Sequence, residues 1–221
     1  MKKAATTFIM ILISIIIAGN VFAEVIFEDY FNGTKGDWIK WLSAPAEYTI
    51  SQDDELIIAG VRADYGRDIW GHNANLFSRP IFYGDASFEV DMKKVSASGT
   101  GYAIRLQIGN GTNYFAVTKA YDPNGGLNSN ARITTGSTFN ILYVHPDNVT
   151  DDYDNYRIVT TGNTIEVFLN NNSIYSTTLD WINSKKQLTL LVATRAKGDS
   201  IDARFDNLFV ISEKVPFPLF L

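Results

Sequence analysis

The chain has no cysteine in 221 residues and only two histidines, His72 and His145. Without cysteine there is no disulfide, no thiolate metal ligand, no thiol nucleophile and no lipid-modified N-terminal cysteine. A large core or a bound ion must then do what disulfides do in many exported domains. Two histidines make a histidine-rich metal centre or a histidine-based catalytic arrangement unpromising. Positive charge is also short, with 19 Lys and Arg against 24 Asp and Glu. Residues 1–23 hold Lys2, Lys3 and no acid, which leaves 17 basic residues and a net charge of −7 for the remainder. Binding to nucleic acid needs clustered cations that displace counterions, so this balance argues against a nucleic-acid partner.

One long apolar run is present, from Phe8 to Ala18, behind Lys2 and Lys3 and ahead of the exit Val21-Phe22-Ala23. That three-part pattern is the pattern of a cleaved secretory signal, and the run is short for a membrane span. The reading is a signal peptide over 1–23, one domain over 24–212 and a Pro-containing apolar tail over 213–221. The expected location is extracellular, cell-surface or periplasmic, with no stable membrane span after signal removal. The closing VPFPLFL superficially resembles the start of Pro-containing sorting tails on exported bacterial proteins; the alternative is a bland apolar terminus. Pro216 and Pro218 cannot continue a central ladder, so the last strand is expected to end near Ile211.

The rest of the chain has no long amphipathic helical pattern. It has short alternations of period two: Phe88, Val90 and Met92 against Glu89, Asp91 and Lys93; then Tyr102, Ile104, Leu106 and Ile108 against Ala103, Arg105 and Gln107. Ile165, Val167 and Leu169 repeat the pattern, as do Leu188, Leu190 and Val192. These are half-buried antiparallel strands. Turn clusters such as Gly109-Asn110-Gly111 and Asn170-Asn171-Asn172 separate them, and many short strands so spaced indicate an all-β antiparallel sandwich or jelly roll. The longest weakly patterned stretch, Asp122 to Thr138, reads as a surface loop bordering a cleft.

Three segments carry a family resemblance. Phe27-Glu28-Asp29-Tyr30-Phe31, with Trp38 downstream, resembles the first strand of concanavalin A-like lectin/glucanase domains. Tyr156 to Val159 followed by Gly162 to Asn170 resembles their late hairpin, and Ala203-Arg204-Phe205-Asp206-Asn207-Leu208-Phe209-Val210 their closing strand. The resemblance implies a jelly roll of two curved antiparallel sheets, first and last strands side by side, and glycan or polysaccharide ligands on the concave sheet. It does not imply an activity, because hydrolases, lyases, lectins and adhesion modules share such folds. The glucanase branch uses E-x-D-x-x-E on one strand; Glu89-Val90-Asp91 begins that pattern but Lys94 stands where the last acid belongs. The residue pairs of a related alginate lyase branch are also missing.

Several residues are candidates for a site. Glu89, Asp91, Arg105, Gln107 and Arg195 lie on the faces opposite the apolar ones and could form a polar cleft floor for sugar hydroxyls, if they share the concave sheet. The alternative is a solvent-facing sheet with ordinary cross-strand ion pairs. Trp70, Tyr121 and Tyr143 lie near loops or strand ends where a ring could stack on a sugar, whereas Trp38, Trp41 and Trp181 are expected to cap the core. In the resembled family a structural calcium ion often joins the first and last strands, which makes Asp29 and Asp206 candidate ligands here, with Glu28 nearby. The alternative is that these acids cap turns or face water. The run Asp147 to Asn155 is acidic but lacks EF-hand spacing. The expected function is an exported, non-catalytic carbohydrate-binding or surface-adhesion module; a glycan-cleaving enzyme and a structural envelope or matrix protein are the alternatives.

Overall fold

A computed structural model describes residues 22–32, 37–43, 47–63, 73–122, 127–136, 140–148 and 150–214. Every regular element among them is a strand, and all strand pairs are antiparallel. No helix among the described residues is long and apolar enough to cross a membrane.

The strands form two sheets. The first runs in the order β13 (Asn172–Thr178), β12 (Thr164–Leu169), β11 (Asp154–Thr161), β6 (Ala86–Ser98), β15 (Ser200–Lys214), β4 (Leu56–Val61) and β3 (Tyr48–Gln52). Its eighth strand, β1 (Phe22–Asp29), pairs with the second half of β15. The second sheet runs β10 (Asn140–Asn148), β9 (Leu127–Thr135), β8 (Tyr114–Asp122), β7 (Tyr102–Gly109), β14 (Lys186–Thr194), β5 (Asn73–Phe82) and β2 (Trp38–Leu42). Consecutive strands β6 and β7 lie in different sheets, as do β14 and β15, which gives the jelly-roll connectivity.

The period-two alternations select the core. Phe88, Val90 and Met92 of β6 are fully buried and meet Ile104, Leu106, Ile108, Leu188, Leu190 and Val192 of the other sheet in one cluster. Each such side chain contributes about 1.5–3 kcal/mol on full burial. The first and last strands pair as expected: Phe27 lies opposite Val210, Glu28 opposite Phe209 and Asp29 opposite Leu208. Asp29 is buried while Glu28 and Tyr30 are exposed, so the two acids of the first strand leave it on opposite faces.

Two expectations change. The ladder of β1 begins at Phe22 and β15 runs to Lys214, beyond Ile211, because Phe22, Ala23 and Glu24 pair with Lys214, Glu213 and Ser212. Removal of residues 1–23 would take only the first two of these pairs. Half of the expected Asp122–Thr138 loop is strand β9, one in from the sheet edge: Ala131 and Ile133 face the core, while Asn130, Arg132 and Thr134 are buried on the other face. Polar residues on both sides of the alternation hid the strand. The Asp147–Asn155 run divides among lysines, with Asp152 3.1 Å from Lys93, Asp151 on Lys94 and the buried Asp154 3.0 Å from Lys119. The VPFPLFL segment and Trp70 lie outside the described residues.

Candidate functional site

The candidate site is the face of the second sheet that points away from the core. On β7 the apolar series Tyr102, Ile104, Leu106 and Ile108 is turned inward, so Arg105 and Gln107 point outward. Register then sets their neighbours. Arg105 lies between Thr118 of β8 and Leu191 of β14, in a row that continues through Arg132 to Val144 on one side and through Asn75 to Trp41 on the other. Gln107 lies in the next row, with Thr189, Phe77 and Ile39 toward β2, and Ala116, Thr134 and Ile141 toward β10.

The middle of this face is closed. Ala103, Ala116, Thr118, Ala120 and Thr134 are essentially inaccessible, and Arg132 is buried. Asn130 is covered by the β10 backbone, its amide donating to the carbonyls of His145 at 3.0 Å and Asp147 at 3.1 Å. The face opens at the end where Gly109 leaves room: a pocket of about 190 Å³ lies there, between Phe77, Gln107, Tyr114, Gln187 and Thr189. Two amides, a hydroxyl and two aromatic rings are a set that can bond vicinal hydroxyls and pack against an apolar ring face. Arg105 stands behind the pocket, with Nη1 3.5 Å from Gln107 Oε1, its Nε donating to Thr118 Oγ1 at 3.2 Å, and its guanidinium 6.0 Å from the Tyr114 ring. Burial and the neighbouring Arg132 lower the Arg105 guanidinium to about 10, against a raising effect of Tyr114.

Trp41 was expected in the core and is not there. It is half exposed at the outer edge of this face, beside the exposed Ile39. The five-residue strand Trp38-Ile39-Lys40-Trp41-Leu42 has apolar residues on both sides, so alternation alone cannot say which tryptophan turns inward. Trp38 does: it is 6% exposed and its Nε1 donates to Asp29 Oδ2 at 2.8 Å. Trp181 is partly buried against the core, as expected.

The other candidates separate. Arg195 shares the outward face with Arg105 and Gln107, at the end of β14, where its Nε lies 3.2 Å from Asp122 Oδ1. Glu89 and Asp91 do not share it. They are on β6, in the first sheet, and point to the opposite side of the molecule. There the Asn155 amide donates to Glu89 Oε1 at 2.9 Å and Asp91 Oδ1 at 2.8 Å, and the Asn207 amide donates to Asp91 Oδ2 at 2.9 Å. Alternation places such residues on the outer face of a strand but cannot say to which sheet the strand belongs. Tyr121 and Tyr143 also turn toward the core, stacked on Tyr102 and Tyr175 at centroid distances of 6.1 and 5.5 Å.

Asp29 and Asp206 do not converge. Asp29 is buried between the sheets, its carboxylate accepting from the Phe31 amide at 2.7 Å and from Trp38. Asp206 lies on the outer face of the first sheet; burial, with Asp91, Glu55 and Asp54, pushes its carboxyl up, while the Asn207 amide pulls it down. Among the described residues no group of three or more His, Asp or Glu side chains is placed to hold a metal ion.

Among the described residues, acids are nearly missing from the candidate face. Strands β2, β5, β7, β9 and β14 contain none at all; β8 supplies Asp122 and β10 supplies Asp147. The Asp147 side chain is 85% exposed.

The fold is a jelly roll of two antiparallel sheets, and solved structures share it. An endo-β-galactosidase from Clostridium perfringens that releases GlcNAcα1-4Gal superposes with a TM-score of 0.67 at 11% identity, over 89% of this chain and 63% of its own. LamA from Z. galactanivorans, solved with laminaritriose and laminaritetraose, gives 0.63 at 16% identity over 85% and 98%. An immunostimulatory antigen and pseudo β-1,3-glucanase of Mycobacterium tuberculosis gives 0.61 at 12% identity over 86% and 99%. No protein-family model matches the sequence, and no curated protein matches it.

Proposed function

We propose that the protein is an exported, non-catalytic carbohydrate-binding or surface-adhesion module that takes a sugar ring at the open end of the second sheet. The observation that carries this reading is the pocket formed by Phe77, Gln107, Tyr114, Gln187 and Thr189, on the face that Trp41 borders, in a set of strands almost without acids. Gln107 and Gln187 orient hydroxyls, and Tyr114 and Trp41 offer ring faces.

Glycosidic cleavage by paired carboxylates needs two acids about 5–5.5 Å apart for retention or about 6.5–9.5 Å for inversion. On this face Asp122 is committed to Arg195, and Asp147 stands in solvent on the edge strand. A structural envelope or matrix role draws on a different observation, the closed middle of the face.

The test is a glycan-binding screen of the mature chain, with and without EDTA, together with a reducing-sugar assay on every glycan that binds. Binding without sugar release is expected. Trp41→Ala should weaken it by about two- to tenfold, the share of one stacking ring, without loss of fold. Sugar release abolished by Asp122→Asn would instead make the protein an enzyme. A folded protein that binds no glycan would favour the structural role.

A further inference from the structure

The sign of charge on the candidate face differs from that of the chain. Outside the leader the chain is acidic, at −7, yet the strands of the second sheet bring Arg105 and Arg132 to the outward face and β14 leads directly into Arg195. Asp122, paired with Arg195, is the acid that β8 adds to them. Arg105 and Arg132 lie in one row with only Thr118 between them, Arg132 buried and Arg105 half-buried. Burial lowers both guanidiniums below their ordinary value; Arg132 adds to this at Arg105, while Asp122 and Tyr114 offset it at Arg132. Arg105 is the nearer to the open pocket, reaching Gln107 Oε1 and the Tyr114 ring, which both line it. Arg105 stands just outside the lining, so an oxyanion on a sugar held by the two amides and the ring would meet its guanidinium by taking the place of Gln107 Oε1.

Resting on the carbohydrate-binding reading above, we infer that the glycan recognised at this face is acidic, carrying a carboxylate or sulfate that reaches Arg105. The neutral part of the sugar is held by Gln107, Gln187 and Tyr114, and the acidic substituent projects toward the Arg105–Arg132 row. The net negative charge of the chain disfavours non-specific attraction of polyanions.

Titration calorimetry on matched pairs tests this: dextran against dextran sulfate, and methyl-esterified against free polygalacturonate. The charged member of at least one pair should bind about tenfold more tightly, the worth of one charge-assisted hydrogen bond. Which pair shows the difference tells sulfate from carboxylate. Arg105→Gln should bring the ratio of charged to neutral binding to about one, while Arg105→Lys keeps part of the difference; urea denaturation of both variants confirms the fold. Equal binding of charged and neutral members would overturn the inference and leave the carbohydrate-binding reading in place. A preference for charge that survives Arg105→Gln would overturn it too, by moving the attraction to another surface. Failure of the folded protein to bind any of the four polymers would count against both.

Discussion

Lys119 projects from the core face of β8 and crosses the sandwich. Its ammonium donates to three acceptors: Asp154 Oδ2 at 3.0 Å, the Asp152 carbonyl at 2.9 Å and the Met92 carbonyl at 3.3 Å. Asp154 and Met92 belong to β11 and β6 of the opposite sheet, so the pair ties the two sheets where no disulfide can. Lys119 is fully buried, and the Asp154 side chain is 2% exposed. In Lys119→Met the volume is nearly kept and the carboxylate loses its cation, while the Thr150 amide and the Asn170 side chain still donate to it. An uncompensated buried charge costs about 3–5 kcal/mol, and for a chain of this size that lowers Tm by about 6–20 °C. Urea and thermal unfolding measure it. The double variant Lys119→Met/Asp154→Leu should recover most of the loss, the rest being the two donors left without an acceptor. Burial also holds the Lys119 ammonium below its ordinary value, against the pull of Asp154. The folded chain therefore gives up that proton at a lower pH than the unfolded chain. Lys119 favours the wild type increasingly as pH climbs through the folded value toward 10.5, and the advantage over Lys119→Met should grow there. A loss below about 1 kcal/mol in Lys119→Met at neutral pH would refute the argument that this ammonium is a cross-sheet tie.

Two further outcomes are expected. Glu89→Gln and Asp91→Asn should leave glycan binding unchanged in the same calorimetry, because both carboxylates sit on the first sheet, away from Arg105. Gly99→Ala should cost at least about 2 kcal/mol in urea denaturation, since its φ is +100° and an added Cβ would collide with the Asp199 carboxylate. That carboxylate accepts from the amides of Thr100, Gly101 and Ala196. Gly111→Ala, at φ +92° with open space around it, should show the backbone strain alone.

The fold was legible where one face of a strand was uniformly apolar. Phe88-Val90-Met92 and Leu188-Leu190-Val192 are core strands because nothing on their inner faces contradicts the period. Strand β9 was not legible, because Asn130, Arg132 and Thr134 are buried on the outward face of the sheet, where side-chain polarity says nothing about exposure. The site was half legible for a related reason. Arg105, Gln107 and Arg195 share one outward face, as the alternation implies, but the division of β6 and β7 between sheets is a property of the connection, and it carried Glu89 and Asp91 away. Trp41 was misread because its strand is apolar on both sides, and the pocket at Gly109 exists only once four strands, β5, β7, β8 and β14, are in register.

The place of β15 sets the timing of assembly. It is the last described strand in the chain, yet it sits in the middle of the first sheet, between β6 on one side and β4 with β1 end to end on the other. Until it arrives, β1 has no partner and β3–β4 is a hairpin detached from its sheet. Closing the sandwich thus joins segments from opposite ends of the chain, which makes folding slow and late. The strand that locks the structure follows the other fourteen described strands in sequence, so the sandwich closes only after all of them have been made.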